Sequence, residues 1–203
     1  MFTILLSAIV ISFSGAAMPG PMFAVTVAKS YKNSWAGAQA SLGHAVVEVP
    51  IILLIYFGFS QFFEEKAVQL VLSLVGGAMI IWLGLAMFRS RTRVMEQGGD
   101  FKYSAFQAGI ITTGLNPAFY IWWATVGSLL VMRFLDYGLG WLAVFIVVHW
   151  MVDLVWLSFV SLAVNKTNHF WGARFQEGVF IACSLLLVGF GIYFIVSGTQ
   201  LVI

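Results

Sequence analysis

Two histidine and acid pairs stand in apolar surroundings. His44 and Glu48 lie in "GHAVVEVP", residues 43 to 50, and Glu48 is the only Asp, Glu, Lys or Arg between residues 33 and 63. His149 and Asp153 lie in "HWMVD", and Asp153 is likewise the only such side chain between residues 137 and 165. A spacing of four places each pair on one helix face, within reach of each other. An ionised carboxylate in hydrocarbon costs at least about 2.5 kcal/mol on insertion scales, so it must be protonated, paired or facing water. One chemistry for such groups is a proton or cation relay, in which the acid holds a proton and then a substrate amine. A second is ligation of a divalent transition metal by His44, Glu48, His149 and Asp153, since imidazole and carboxylate both suit such ions. A third is structural, a neutral imidazole tied to a protonated acid. Ionisable groups inside a membrane are functional by default, and here they occur twice.

The elements that must position these groups are membrane helices. The 203 residues are 61% hydrophobic and carry ten Lys and Arg against eight Asp and Glu, a balance outside the range of soluble domains. Apolar runs at 1 to 28, 33 to 63, 67 to 88, 103 to 132, 137 to 165 and 178 to 203 are each long enough for the roughly 20 residues that cross a bilayer. They are apolar all round rather than alternating, which excludes a barrel. The first run lacks the basic start of a secretory leader. A single cysteine, Cys183, gives no disulfide framework or thiolate metal cluster. The net charge of +2 makes nucleic acid an unsuitable partner, and the partners are the bilayer and a small molecule; a homodimer is compatible with the sequence. Lys29, Lys32, Arg89, Arg91, Arg93, Lys102, Lys166 and Arg174 fall on one side of six spans and only Lys66 and Arg133 on the other. That bias puts the first set in the cytoplasm, both termini outside and the protein in the cytoplasmic membrane.

The polar stretch "RSRTRVMEQGGDFK" divides the chain into a three-helix unit at 1–88, a linker at 89–103 and a second three-helix unit at 104–203. Each unit repeats the same order of features. Gly20-Pro21, His44 and Glu48, then Gly77 and Gly84 are answered by Asn116-Pro117, His149 and Asp153, then Gly191 and Gly198. Three spans per unit is odd, so the units enter the membrane in opposite senses, the inverted repeat of many secondary transporters. The fold class is therefore all-α, with six transmembrane helices and breaks in helices 1 and 4. The breaks follow from Pro19, Gly20 and Pro21 in "MPGP" and from Asn116 followed by Pro117, an N-cap and first helical residue. A helix start inside the membrane presents amide donors and a positive dipole end to a carboxylate. For one Asn-Pro alone a healed kink is the ordinary alternative; two breaks at matching places point to a substrate site. Trp150 and Trp156 lie on the Asp153 face, Trp35, Trp141 and Trp171 near span ends suit interfacial anchoring, and His169 reads as an exposed loop residue. No zincin pattern, nucleophile motif or CxxC marks an enzyme, and no cofactor is implied.

The "PGP" at 19 to 21, "KSYKNSWAGAQASLGHAVVE" from Lys29 to Glu48 and "TGLNPAFYIWW" from Thr113 to Trp123 resemble motifs of the lysine-exporter (LysE/RhtB) translocator family. The resemblance implies a small six-span exporter of amino acids or related metabolites driven by an ion gradient. This chain has Val47 where the family usually has glycine, Glu48 where it commonly has Asp, and Ala118 where a Lys commonly follows Asn-Pro. The resemblance therefore does not extend to export of basic amino acids. On both grounds the substrate contacts are assigned to Gly20, Pro21, Asn116, Pro117, Glu48 and Asp153, and proton coupling to His44, Glu48, His149 and Asp153.

Overall fold

A computed structural model describes residues 2–17, 20–96, 103–170 and 172–200. Pro19, Trp171 and the linker residues 97–102 lie outside the described residues. The described chain is helical without strands: α1 Phe2–Ala16, α2 Pro21–Ser30, α3 Ala36–Tyr56, α4 Ser60–Glu64, α5 Lys66–Glu96, α6 Ala105–Gly114, α7 Pro117–Trp122, a π-helical segment Trp123–Gly127, α8 Ser128–Leu135, α9 Leu139–Thr167 and α10 Ala173–Gln200. Five helices are long and apolar enough to cross a membrane, and α1 with α2, inclined at 73° to each other, would make a sixth span. Large apolar side chains such as Val10, Val71, Leu129, Val155 and Leu185 face outward, as a hydrocarbon solvent requires. The protein is a multi-pass membrane protein.

Local sequence sets where helices start. Pro21 and Pro117 each occupy a first helical position, where the missing N–H costs nothing. Asn116 accepts from the Ala118 amide at 3.1 Å, whereas Gly20 offers α2 no side-chain cap. Ser104 and Gln107 close α6 with a reciprocal capping box at 3.2 and 3.0 Å. With ten residues each, α2 and α6 run about 15 Å, roughly half a hydrocarbon core. Pro50 sits inside α3, which continues to Tyr56.

Glycines let the helices cross closely. A Cβ built on Gly77 would meet the Gly191 carbonyl oxygen at 2.7 Å, and one on Gly191 would meet the Gly77 carbonyl at 2.6 Å. Around this crossing of α5 and α10 the neighbours are reciprocal. The same added Cβ on Gly77 would meet Ile195 Cγ1 and that on Gly191 Ile81 Cγ1, at 2.7 and 2.5 Å, and Leu187 lies against Gly84 as Ser73 lies against Gly198. On α3, Gly43 meets the Phe106 backbone of α6 and Gly37 the Leu157 backbone of α9. Helix α3 is thereby held between α6 and α9.

The apolar interior is in two parts. One joins α2, α5 and α10 through Ala24, Ile80, Phe180 and Leu187. The other joins α3, the π segment, α8 and α9 through Ile52, Trp123, Phe134 and Phe145. Along α9 the second part ends at Phe145 and the first resumes at Val160, with His149 and Asp153 between them. One end of the bundle is closed by polar side chains. Ser30 Oγ donates to Ser161 Oγ at 2.9 Å, Ser161 Oγ to the Ser34 carbonyl at 3.0 Å, Asn165 Nδ2 to the Ser30 carbonyl at 2.9 Å and Asn168 Nδ2 to the Tyr31 carbonyl at 2.8 Å.

Candidate functional site

The side chains of His44, Glu48, His149 and Asp153 come together between the two apolar interiors. All four are buried, with 7, 1, 5 and 6% of their surface exposed. Helices α3 and α9 run antiparallel here, so that His44 faces Asp153 and Glu48 faces His149. His44 Nε2 lies 2.8 Å from Glu48 Oε1, the contact expected of side chains four apart on one helix. His149 does not make the equivalent contact with Asp153. Its Nε2 crosses to α3 and meets the same oxygen, Glu48 Oε1, at 3.1 Å. Asp153 Oδ2 comes within 3.7 Å of His44 Nε2 and has no hydrogen-bond partner among the described residues.

The other ring nitrogens are held by hydroxyls from the opposite half of the chain. His44 Nδ1 is 2.9 Å from Thr113 Oγ1 on α6, and His149 Nδ1 is 2.6 Å from Ser12 Oγ on α1. Each hydroxyl lies near the end of its helix, one ending at Gly114 and the other at Ala16. Thr113 Oγ1 also lies 3.8 Å from Met22 Sδ in the first turn of α2, which brings the start at Gly20 and Pro21 to the cluster. The start at Asn116 and Pro117 adjoins it through Phe119, whose ring centroid is 5.5 Å from that of His44.

Aromatic rings enclose His149. Trp122 stacks on it at 5.6 Å, Trp123 meets it edge-on at 5.1 Å and Phe145 lies at 5.6 Å. The π turn from Trp123 to Gly127 widens the helix, so two consecutive tryptophans reach one imidazole; such turns recur at functional sites. Trp150 Nε1 donates to the Ser41 carbonyl at 3.0 Å and ties α9 to α3. Trp156 packs edge-on against Phe13, at 5.4 Å between centroids. Thr26 Oγ1, Ser41 Oγ and Trp156 Nε1 are buried and have no hydrogen-bond partner among the described residues. His169 is exposed.

Residues 13–198 match the model of the LysE type translocators. The chain belongs to the LysE type translocator family. It is 25% identical over 203 residues to YcgF of Bacillus subtilis (strain 168), named as a candidate amino acid efflux protein, and the match covers 97% of each chain. No solved structure matches the chain.

In this LysE type translocator, sequence reasoning named the four titratable residues that the structure brings together and the two proline sites beside them, but not Ser12, Thr113, Trp122 and Trp123, which contact the two imidazoles or lie against them. Serines and threonines are ordinary in membrane helices, so no signal singled out those two. The adjacent tryptophans were visible in "IWW", but their convergence needs the π turn. His44, Glu48 and Asp153 each offer a ligand atom within 4.8 Å of the others, a donor set that fits a divalent ion as well as a proton relay.

Proposed function

We propose that this translocator is a secondary active exporter of amino acids or related small metabolites across the cytoplasmic membrane, coupled to a proton gradient. The observation that carries the reading is the buried cluster, built jointly by α3 and α9 in the middle of an apolar bundle. A carboxylate and two imidazoles joined by hydrogen bonds can take up and release a proton there. The name of the Bacillus relative supports an amino acid as cargo. The cargo's ammonium meets the carboxylates, and its carboxylate meets the helix starts at Gly20 and Pro21 and at Asn116 and Pro117. Of these, the start of α2 is the more open, because the Asn116 side chain already takes the Ala118 amide. Thr26, Ser41 and Trp156, whose polar atoms lack partners, stand on the three helices around the path.

Two inverted units, residues 1–88 and 104–203 about a linker at 89–103, give the transporter its alternating symmetry. The reciprocal neighbours of Gly77 and Gly191 support that pairing, as does the hydroxyl that each unit lends to the other's histidine. The units rock about the α5 and α10 crossing, with both termini outside. The divalent-ion alternative uses the same four side chains. The hydrogen bonds that already join both imidazoles to Glu48 Oε1 at 2.8 and 3.1 Å favour the proton.

The test is reconstitution into proteoliposomes. An imposed pH gradient should drive movement of radiolabelled amino acids, and Glu48→Gln or Asp153→Asn should abolish it while the protein stays folded. Full activity in both variants would sink the reading. Calorimetric titration with Mn²⁺ or Zn²⁺ separates the alternative: binding that disappears in His44→Ala and His149→Ala would favour metal transport.

A further inference from the structure

We propose that the two carboxyl groups have different jobs: one proton is shared between Glu48 Oε1 and His149 Nε2, while Asp153 is the group that receives the cargo's ammonium. This rests on the exporter reading and assigns roles within its site.

The placement of the proton follows from counting donors. Ser12 Oγ lies 2.6 Å from the Ala8 carbonyl and 2.6 Å from His149 Nδ1. A carbonyl only accepts, so the single hydroxyl proton of Ser12 points at Ala8; without it two acceptor oxygens would face each other at that distance. His149 Nδ1 must then carry its own proton and donate to Ser12. A neutral imidazole protonated at Nδ1 has a bare lone pair at Nε2, and here that lone pair faces Glu48 Oε1 at 3.1 Å. Two lone pairs repel, so a proton lies on that line. It belongs either to a Glu48 carboxylic acid donating to Nε2 or to an imidazolium donating to a carboxylate. The two forms interconvert by moving the proton along the O···N line, with no other bond made or broken.

His44 is not constrained in this way. Thr113 can turn its hydroxyl to His44 Nδ1 at 2.9 Å or to Met22 Sδ at 3.8 Å, so His44 can keep an N–H toward Glu48 in every state. The titratable groups facing Glu48 are His44 from α3 and His149 and Asp153 from α9. The helices α1, α6 and α7 and the π segment bring only hydroxyls and rings: Ser12, Thr113, Phe119, Trp122 and Trp123. Among the described residues no Lys or Arg pairs with Glu48 or Asp153. The positive charge that joins α9 to Glu48 is therefore a proton.

Asp153 is the complement. It is buried, it accepts no hydrogen bond among the described residues, and its nearest cationic candidate is His44 Nε2 at 3.7 Å. Neither carboxyl oxygen is among the fully shielded atoms without a partner, so the group is open to a donor, and an incoming ammonium supplies three. Glu48, already bonded twice through Oε1, has less to offer the same group.

Two measurements test the assignment. The chain has three histidines, His44, His149 and His169, so ¹⁵N-histidine spectra in nanodiscs can be assigned with His→Gln variants one at a time. His149 should appear as imidazolium or as the Nδ1–H tautomer, and finding it as a neutral Nε2–H tautomer would overturn the proton placement. In proteoliposomes with a radiolabelled mixture of the twenty amino acids, the ratio of gradient-driven uptake to gradient-free exchange should fall at least tenfold in Glu48→Gln. In Asp153→Asn both should fall together; wild-type exchange in that variant would overturn its role. If the wild type moves none of the twenty in either mode, the exporter reading fails and the spectra still decide the proton's position.

Discussion

Glu48 and Asp153 hold matching places in the two halves of the chain, four residues after a histidine on the middle helix of each. Yet two imidazoles converge on Glu48 Oε1, whereas Asp153 accepts no hydrogen bond among the described residues and lies 3.7 Å from His44 Nε2. The helix starts differ in the same way. Asn116 caps α7, while Gly20 leaves α2 without a side-chain cap. Among the described residues only the second half carries a π turn, which wraps His149 in rings. The glycine crossing of α5 and α10, by contrast, is reciprocal nearly atom for atom. Backbone packing at that crossing is thus reciprocal where the side-chain surroundings of the two acids are not.

The strongest way to break this comparison is to exchange the two acids. In Glu48→Asp/Asp153→Glu the charge is unchanged, but the shorter side chain no longer reaches both imidazoles. Gradient-driven uptake should fall roughly 100-fold, equivalent to about 2.7 kcal/mol at the barrier; near wild-type transport would mean the halves are chemically equivalent. Next in size is the reciprocal crossing. Gly191→Val forces a side chain against the Gly77 carbonyl, and melting in nanodiscs should show a loss of about 2 kcal/mol, within the range for overpacking. Gly77→Val should cost the same within error, and the double variant less than the sum.

Smaller effects sharpen the contrast between helix starts. Asn116→Ala should lower stability by about 1 kcal/mol through the lost cap. Gly20→Asn should leave stability level or slightly raised, because it adds the missing cap, while weakening half-saturation for amino acid uptake several-fold. Equal effects of the two changes on uptake would remove the distinction. The smallest loss of stability belongs to the polar closure: Asn165→Ala removes one bond to the Ser30 carbonyl and should cost about 0.5 kcal/mol in the same melt.

Much of the fold was legible because its rules are local. Charge gaps marked the crossings, prolines marked the helix starts, and glycines seven apart marked where α5 and α10 approach. The composition of the cluster was legible too, since acids are rare in hydrocarbon. Its wiring was not. A spacing of four speaks only for one helix, and it suggested His149 with Asp153; the register of α3 against α9 decides instead for His149 with Glu48. That register depends on contacts such as Gly37 against Leu157 and Trp150 against Ser41, which no single segment encodes. Asn165, the last residue of the apolar run 137 to 165, lies in α9 and works as part of a closure with Ser161 and Asn168, which no local pattern signalled.

That closure grips the loop after α2 mainly by the carbonyls of Ser30, Tyr31 and Ser34. Every amino acid brings the same carbonyl, so the hold is blind to the side chains it fastens. Ser34 can therefore change in charge and size while the end of the bundle stays shut, whereas Tyr31 is also held by its ring, 5.0 Å from that of Phe180. Natural variation among relatives should be broad at position 34, which lends only its carbonyl, and narrow at 161, 165 and 168, whose side chains make the bonds.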